Sequence, residues 1–472
     1  MTAGAFAAVD LGATSGRVIV GRVGSRELSL HHVARFPNEP VALRDGLHWD
    51  LLGLYGDVLR GLADAVREAP ELASVGIDSW AVDYALLRDG RMQGLPYHYR
   101  DDRRGRLGPS LLHQDIDRTT LFARNGLQFL PFNTVYQLAC DQLAGDLDTA
   151  DTMLLIPDFL GYQLTGAVAA ERTNASTTGL LGAHSREWDE VILDSLVMLE
   201  GMLPALVDPG TEIGPIDGPA RTAVGAALPV VTVGSHDTAS AVVAIPTTRD
   251  DVAYISCGTW GLVGVELEEP VLTDAAREAS FTNEGGVDGR IRFLHNVMGL
   301  WLLSECVRTW GDTLDELLAR AAAIESPVPV FDVDDPRFLS PGDMPARIAA
   351  WLAEHELPVP DSRPALVRSI IESLAQAFAN TVRAASALSG TRVSAIHLVG
   401  GGAHNELLCQ ATADRSGLPV IAGPVEATAI GNLLVQARAA GALSGSLESL
   451  RALVAATQQP RHYVPRTRTK GD

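Results

Sequence analysis

Residues Ala8–Arg17 read A-V-D-L-G-A-T-S-G-R, an apolar run that closes on a turn of glycines and small hydroxyl side chains, with Asp10 near its end. Glycine and small residues let backbone N–H groups come close to an anion, so a strand ending this way predicts an anion-holding turn. About half a chain later the pattern returns as Y-I-S-C-G-T-W-G, Tyr254–Gly261. Two strand-and-turn units this far apart predict two similar lobes around one phosphate chain. An ordinary hairpin turn is the competing reading of each copy.

Working outward, the N-terminal stretch predicts strands at 6–10, 17–23 and 28–36, a helix over about 51–68 and a strand at 74–78. The second copy predicts strands at 252–256 and 262–266 around its turn. Near the C-terminus, Ser362 and Pro364 open a helical pattern in which Leu366, Ile370, Leu374, Phe378 and Val382 recur every four residues until Gly390. A strand at 395–399, the run V-G-G-G-A-H-N (Val399–Asn405), a helix from about Glu406, a strand at 419–422 and a helix at 427–439 follow. This alternation predicts α/β layering. The breaker run Pro246-Thr247-Thr248 suggests a boundary, giving lobes 1–244 and 245–472.

The chain has 472 residues, enough for two cores, and a net charge of −21. That charge argues against nucleic acid or an anionic membrane as partner, since both demand basic surface. The four cysteines are widely spaced and predict free thiols in a reducing cytoplasm. The first twenty residues carry Asp10 in the apolar stretch and lack the pattern of a signal peptide.

Three glycine-rich turns and one acidic motif carry the chemistry. Thr14, Ser15 and Gly16 would wrap the phosphates of a nucleotide, with Asp10 meeting Mg²⁺ through water. The Thr259 hydroxyl and its neighbouring amides would do the same from the second copy. V-G-G-G-A-H-N offers amides and a helix N-terminus but matches neither the dinucleotide fingerprint nor the P-loop. G-S-H-D-T, Gly234–Thr238, follows the apolar strand at 230–233 and puts Asp237 where α/β proteins bind ligands. Asp237 would accept the proton of a sugar hydroxyl attacking phosphorus; as a bare pattern a helix N-cap is the safer reading, and only the surrounding motifs overturn it. Asp83, in G-I-D-S-W-A-V-D-Y, and Asn296 interrupt apolar runs, and a sugar hydroxyl is one partner that could satisfy them.

Together these residues resemble the FGGY carbohydrate kinases, along nearly the whole chain. The resemblance is carried by V-D-L-G-A-T-S-G-R at Val9, G-I-D-S-W-A-V-D at Gly76, Q-F-L-P-F-N-T at Gln128, S-H-D-T-A-S-A-V at Ser235, F-T-N-E-G-G at Phe281, N-V-M-G-L-W-L-L at Asn296, V-G-G-G-A-H-N at Val399 and V-I-A-G-P-V-E-A-T-A-I-G-N at Val420. It implies the two-lobed actin-like ATPase (ribonuclease H-like) fold with a cleft between the lobes. It also implies ATP and Mg²⁺ as cofactors, and a small ketose as substrate. The F-T-N-E-G-G and S-H-D-T-A-S-A segments are similar to the branch acting on the 1-hydroxyl of L-rhamnulose. Another ketose, such as L-fuculose or L-xylulose, and a non-metabolic ATPase switch are the alternatives.

By the same resemblance Asp237 is the proton acceptor, with His236, Thr238 and Asn296 on the sugar. Ala13, Thr14, Ser15, Gly16, Arg17, Thr259 and Gly402 meet ATP. The sugar also meets backbone at Ala81, where relatives often have glycine, and Ser304 stands where relatives can carry a glutamine that contacts ATP. A monomer or homodimer is implied.

Overall fold

The computed structural model describes residues 3–196, 198 and 201–466, with backbone alone at 103. The chain forms two compact units: Met1–Thr248 with Leu267–Phe293 and Ala427–Gln458, and Arg249–Glu266 with Leu294–Glu426 and Gln459–Asp472. Both are built from interleaved stretches of sequence.

In the first unit β1 (Gly4–Leu11), β2 (Ser15–Gly24) and β3 (Glu27–Pro37) run antiparallel. Phe6 to Val9 and Leu11 are fully buried, which explains the unbroken apolar run of β1. Helix α1 (Leu51–Glu68) buries Leu51, Leu54, Val58, Leu62 and Ala65, the spacing of one helical face, and Asp50 caps it by accepting from Gly53 N. It leads into β4 (Leu72–Ser79), parallel to β1 with Asp10 opposite Asp78. With β5 (Glu212–Pro215) and β6 (Pro229–Val231) these make a six-stranded sheet ordered β5-β6-β4-β1-β2-β3. The short helix α2 (Asp237–Val243) follows β6.

The second unit repeats the plan. Strands β7 (Val252–Cys257) and β8 (Trp260–Leu267) form an antiparallel hairpin. After the strand Ile291–Met298 comes helix α3 (Trp301–Trp310), and later the 27-residue α4 (Arg363–Ser389), capped by Ser362 and stopped at Gly390 with φ 73°. β9 (Ala395–Val399) returns parallel to β7, as β4 does to β1. Helix α5 (Glu406–Ser416), β10 (Val420–Ala422), parallel to β9, and β11 (Arg461–Tyr463), antiparallel to β10, complete this side.

Helix α6 (Ala427–Ala439) belongs to the first unit. It packs on α2 so closely that a Cβ on Gly431 would lie 1.8 Å from the Ser240 carbonyl oxygen. Its polar residues are spent on the sheet. Asn432 donates to Asp78 Oδ2 at 2.6 Å, while Gln436 donates to the Ala7 carbonyl at 3.0 Å and accepts from Ser74 Oγ at 2.7 Å. Among the described residues no helix is long and apolar enough to cross a membrane.

Candidate active site

The first turn is a hairpin and an anion cradle at once. Gly12 N donates to Ser15 O at 3.0 Å, closing the loop, and Asn38 clamps it from outside: its side chain donates to Gly12 O at 2.9 Å and its amide to Thr14 O at 3.1 Å. Among the described residues the amides of Ala13 and Thr14 find no acceptor, and Thr14 is exposed. Unspent donors in a pinned loop are what an anion needs.

Beside the turn Asp10 is buried, and Arg17 donates to its Oδ2 through Nε at 2.9 Å and Nη2 at 2.7 Å. Both bonds fall on one oxygen, which leaves Oδ1 clear. Asp78, across the ladder from Asp10, takes the Asn432 bond on Oδ2, while among the described residues its buried Oδ1 has no hydrogen-bond partner. Burial, and next the negative charge of Asp10, hold Asp78 well above the usual carboxylate range.

Asp237 stands in the first turn of α2. The helix is capped at His236, whose side chain makes no cap bond, and Asp237 is its first residue. Its carboxylate accepts from Thr238 Oγ1 at 3.1 Å on Oδ1, the oxygen 3.4 Å from His236 Nε2. About a third of the side chain, 32%, stays open. Burial raises its pKa against the pull of His236, with the Asp10 charge adding to the rise.

The loop carrying it is fixed by Glu171, whose buried carboxylate accepts from Ser235 N (3.0 Å), Ser235 Oγ (2.6 Å), Thr173 N (2.8 Å) and Thr173 Oγ1 (2.6 Å). His236 is held in turn by Arg292 and Glu284. The segment of Ala81 is tied alongside, because Ser79 N donates to Ser235 O at 2.9 Å. Asp83 N then donates to Ala81 O at 2.9 Å around Val82, whose φ is 70°. This is a γ-turn with a β-branched residue at its centre, a strained arrangement.

Asp83 itself is not waiting for a ligand. Its Oδ2 accepts from the indoles of Trp49 (2.6 Å) and Trp80 (3.1 Å) and from Tyr99 N (3.3 Å), and its Oδ1 accepts from Gln137 at 2.9 Å. These protein donors account for its place in an apolar run, and burial lifts its pKa to about 7.

In the second unit, Thr259 N is likewise without an acceptor among the described residues. Its turn is packed by the start of α3: Leu300 N donates to Gly258 O at 2.9 Å and Trp301 N to Thr259 O at 3.2 Å. Ser304 lies one turn further along α3, exposed. Gly402 abuts the end of β7, where a Cβ would fall 2.5 Å from Cys257 Sγ. The amides of Gly401 and Gly402 find no acceptor among the described residues. Asn296, partly buried, sits in the strand Ile291–Met298.

The structure thus gathers Asp10, Ala13 to Arg17, Ala81 and His236 to Thr238 in one unit, and Thr259, Asn296, Ser304 and Gly402 in the other. Asn38, Asp78, Glu171 and Arg292 escape the sequence reading. Asp78 and Glu284 had a signal in the charged residue inside G-I-D-S-W and F-T-N-E-G-G, whereas Glu171 and Arg292 had none.

Residues 5–244 match the N-terminal domain of the FGGY family of carbohydrate kinases, and residues 253–440 match its C-terminal domain. The chain belongs to that family. This FGGY kinase is 39% identical over 466 residues to a rhamnulokinase of Bacteroides thetaiotaomicron, an alignment covering 98% of this chain and 96% of the relative. It is 41% identical over 467 residues to one of Pectobacterium carotovorum, covering 97% and 92%, and 42% identical over 438 residues to one of Klebsiella pneumoniae, covering 91% and 88%. A ligand-bound xylulose kinase from Lactobacillus acidophilus superposes with a TM-score of 0.79 at 16% identity, covering 98% of this chain and 94% of that one. Plasmodium falciparum glycerol kinase with ADP gives 0.77 at 14%, with the same coverage. The fold is the actin-like ATPase fold, and the enzyme is a sugar kinase for which the family makes ATP the phosphoryl donor.

Proposed function

We propose that this kinase transfers the γ-phosphoryl group of ATP to the 1-hydroxyl of L-rhamnulose, giving L-rhamnulose 1-phosphate and ADP, a step of L-rhamnose degradation. Three rhamnulokinases at 39%, 41% and 42% identity over almost the full length support the substrate. The observation that carries the chemistry is Asp237, a carboxylate at the start of α2, raised in pKa by burial yet 32% open. A base with a lifted pKa is suited to taking a hydroxyl proton near neutral pH.

In this reading residues 1–244 supply the base, phosphate contacts and all the sugar contacts but Asn296, and 245–472 supply the remaining ATP contacts. His236, Thr238, Asn296 and the backbone of Ala81 orient the ketose. Ala13 to Arg17, Thr259, Ser304 and Gly402 hold ATP, their unspent amides meeting phosphate oxygens. The hydroxyl oxygen bonds to the γ-phosphorus, its proton passes to Asp237 and the bond to the ADP oxygen breaks. Held donors placed where charge builds should provide most of the acceleration.

The acidic pair Asp10 and Asp78 fits Mg²⁺. Each carboxylate has an oxygen clear of protein donors, and among the described residues no three His, Cys, Asp or Glu side chains could bind the ion by themselves. An ion that keeps several waters needs no such set. Asp10 would hold it through water, and when bound it would neutralise phosphate charge. Four buried free thiols are in keeping with the reducing cytoplasm.

The test is ADP release across ketoses and polyols. L-Rhamnulose is expected among the best substrates, and a clear preference for L-fuculose or L-xylulose would overturn the assignment. Asp237→Ala should bind ATP as the parent does and lose about 10²- to 10⁴-fold in kcat; near-normal turnover would remove Asp237 from its role.

A further inference from the structure

Among the described residues of the first unit Arg292 is the most deeply buried arginine side chain, with no exposed surface. Taking a guanidinium out of water demands that its donors be used. Nε donates to the Gly285 carbonyl at 2.9 Å and Nη2 meets Nδ1 of His236 at 3.0 Å, while Nη1 lies 3.1 Å from Glu284 Oε2 as an ion pair without hydrogen-bond geometry.

The last contact decides the state of the histidine. A guanidinium has five N–H groups, no lone pair, and stays protonated in proteins. Facing it, Nδ1 can only accept, so the imidazole carries its proton on Nε2. Glu284 Oε2 also lies 3.4 Å from Nδ1, further than Nη2, and its charge is matched by Arg292. A proton on Nδ1 would point two hydrogens at each other across the shorter gap. The other ring nitrogen, Nε2, is 3.4 Å from Asp237 Oδ1.

We infer that Arg292 is a positioning residue that fixes His236 as its Nε2–H tautomer and turns that N–H toward Oδ1 of Asp237. Thr238 donates to the same oxygen. With Thr238 bonded to Oδ1 and His236 Nε2 3.4 Å from it, Oδ2 is the oxygen left to take the hydroxyl proton. Arg292 touches no reacting atom and acts through His236. The inference rests on Asp237 being the proton acceptor.

The experiment is nitrogen NMR of the full-length enzyme labelled with ¹⁵N-histidine. His236→Asn identifies the resonances of His236 among the 12 histidines. In the parent, Nδ1 should show a pyridine-type shift and Nε2 a pyrrole-type shift; the reverse assignment would overturn the inference. Arg292→Met should mix the tautomers and lower kcat about 10- to 100-fold while the KM for ATP stays within about twofold. Arg292→Gln, which can still donate an amide N–H to Nδ1, should recover part of that loss. Unchanged kcat in Arg292→Met would also overturn it, and the parent spectrum decides the matter should that variant not fold. The expected tautomer beside an active Asp237→Ala would instead remove only the reading of Asp237.

Discussion

Asp83, buried, and Asp237, partly buried, both have raised pKa values, yet they have opposite fates. Asp83 spends both oxygens on four protein donors. Asp237 keeps one side open. Because Asp237 must be ionised to act, the acid limb of the kcat/KM profile should lie above the ordinary carboxylate range, as its raised pKa requires.

Asp83 should be visible in stability instead. Its pKa rises from 3.8 to about 7 on folding, so between those values the folded chain holds a proton that the unfolded chain has lost. Its contribution is therefore complete below the lower value and is lost as pH rises to the upper one. Asp83→Asn should lower Tm, since an amide presents N–H to Gln137, a mismatch costing about 1–3 kcal/mol. It should also flatten the decline of Tm between about pH 5 and 7; a slope equal to the parent's would show that Asp83 does not titrate there. Sequence could mark both aspartates as odd but could not separate them, because what differs is the number of donors converging from Trp49, Trp80, Tyr99 and Gln137.

Elements with a strong period were legible. The 27-residue α4 ends where the Ser362 cap and Gly390 say it should, and β1 to β3 lie where apolar runs meet turns. Between β4 and β5 little could be read: helices there have four to eleven residues, as in Arg118–Asn125 with eight, and strands as few as two, as in Leu206–Val207. Such pieces are shorter than the window a period needs and owe their existence to tertiary packing. The α2–α6 contact is another feature invisible in one dimension. Gly431 sits in a helix interior, where glycine is a poor choice, because the Ser240 carbonyl leaves no room for a methyl group. Gly431→Ala should cost about 1–3 kcal/mol through overpacking. It should also reduce kcat, since α2 carries Asp237; loss of stability with full kcat would show that the site tolerates movement of α2.

At the scale of the whole molecule the chain says one thing twice: a hairpin with a glycine turn, whose first strand pairs in parallel with a later strand reached through a helix, β1 with β4 and β7 with β9. The repeated turn was enough to expose this plan. What no motif announced is the interleaving, in which Ala427–Gln458 belongs to the unit that begins at the N-terminus.

That return of α6 sets a timetable for biogenesis. A ribosome will have released β1, β4 and α2 long before it makes the helix that supplies Asn432 and Gln436 to their polar groups. Until then Asp78, Ser74 and the Ala7 carbonyl lack these bonds, and the nascent N-terminal part should be less stable than in the whole enzyme. A chain ending at Glu426 should accumulate as aggregate or show little amide-exchange protection in β1 and β4, and adding residues 427–458 as a separate peptide should restore protection there. Native-like protection in the shortened chain alone would show that the early strands need no late partner.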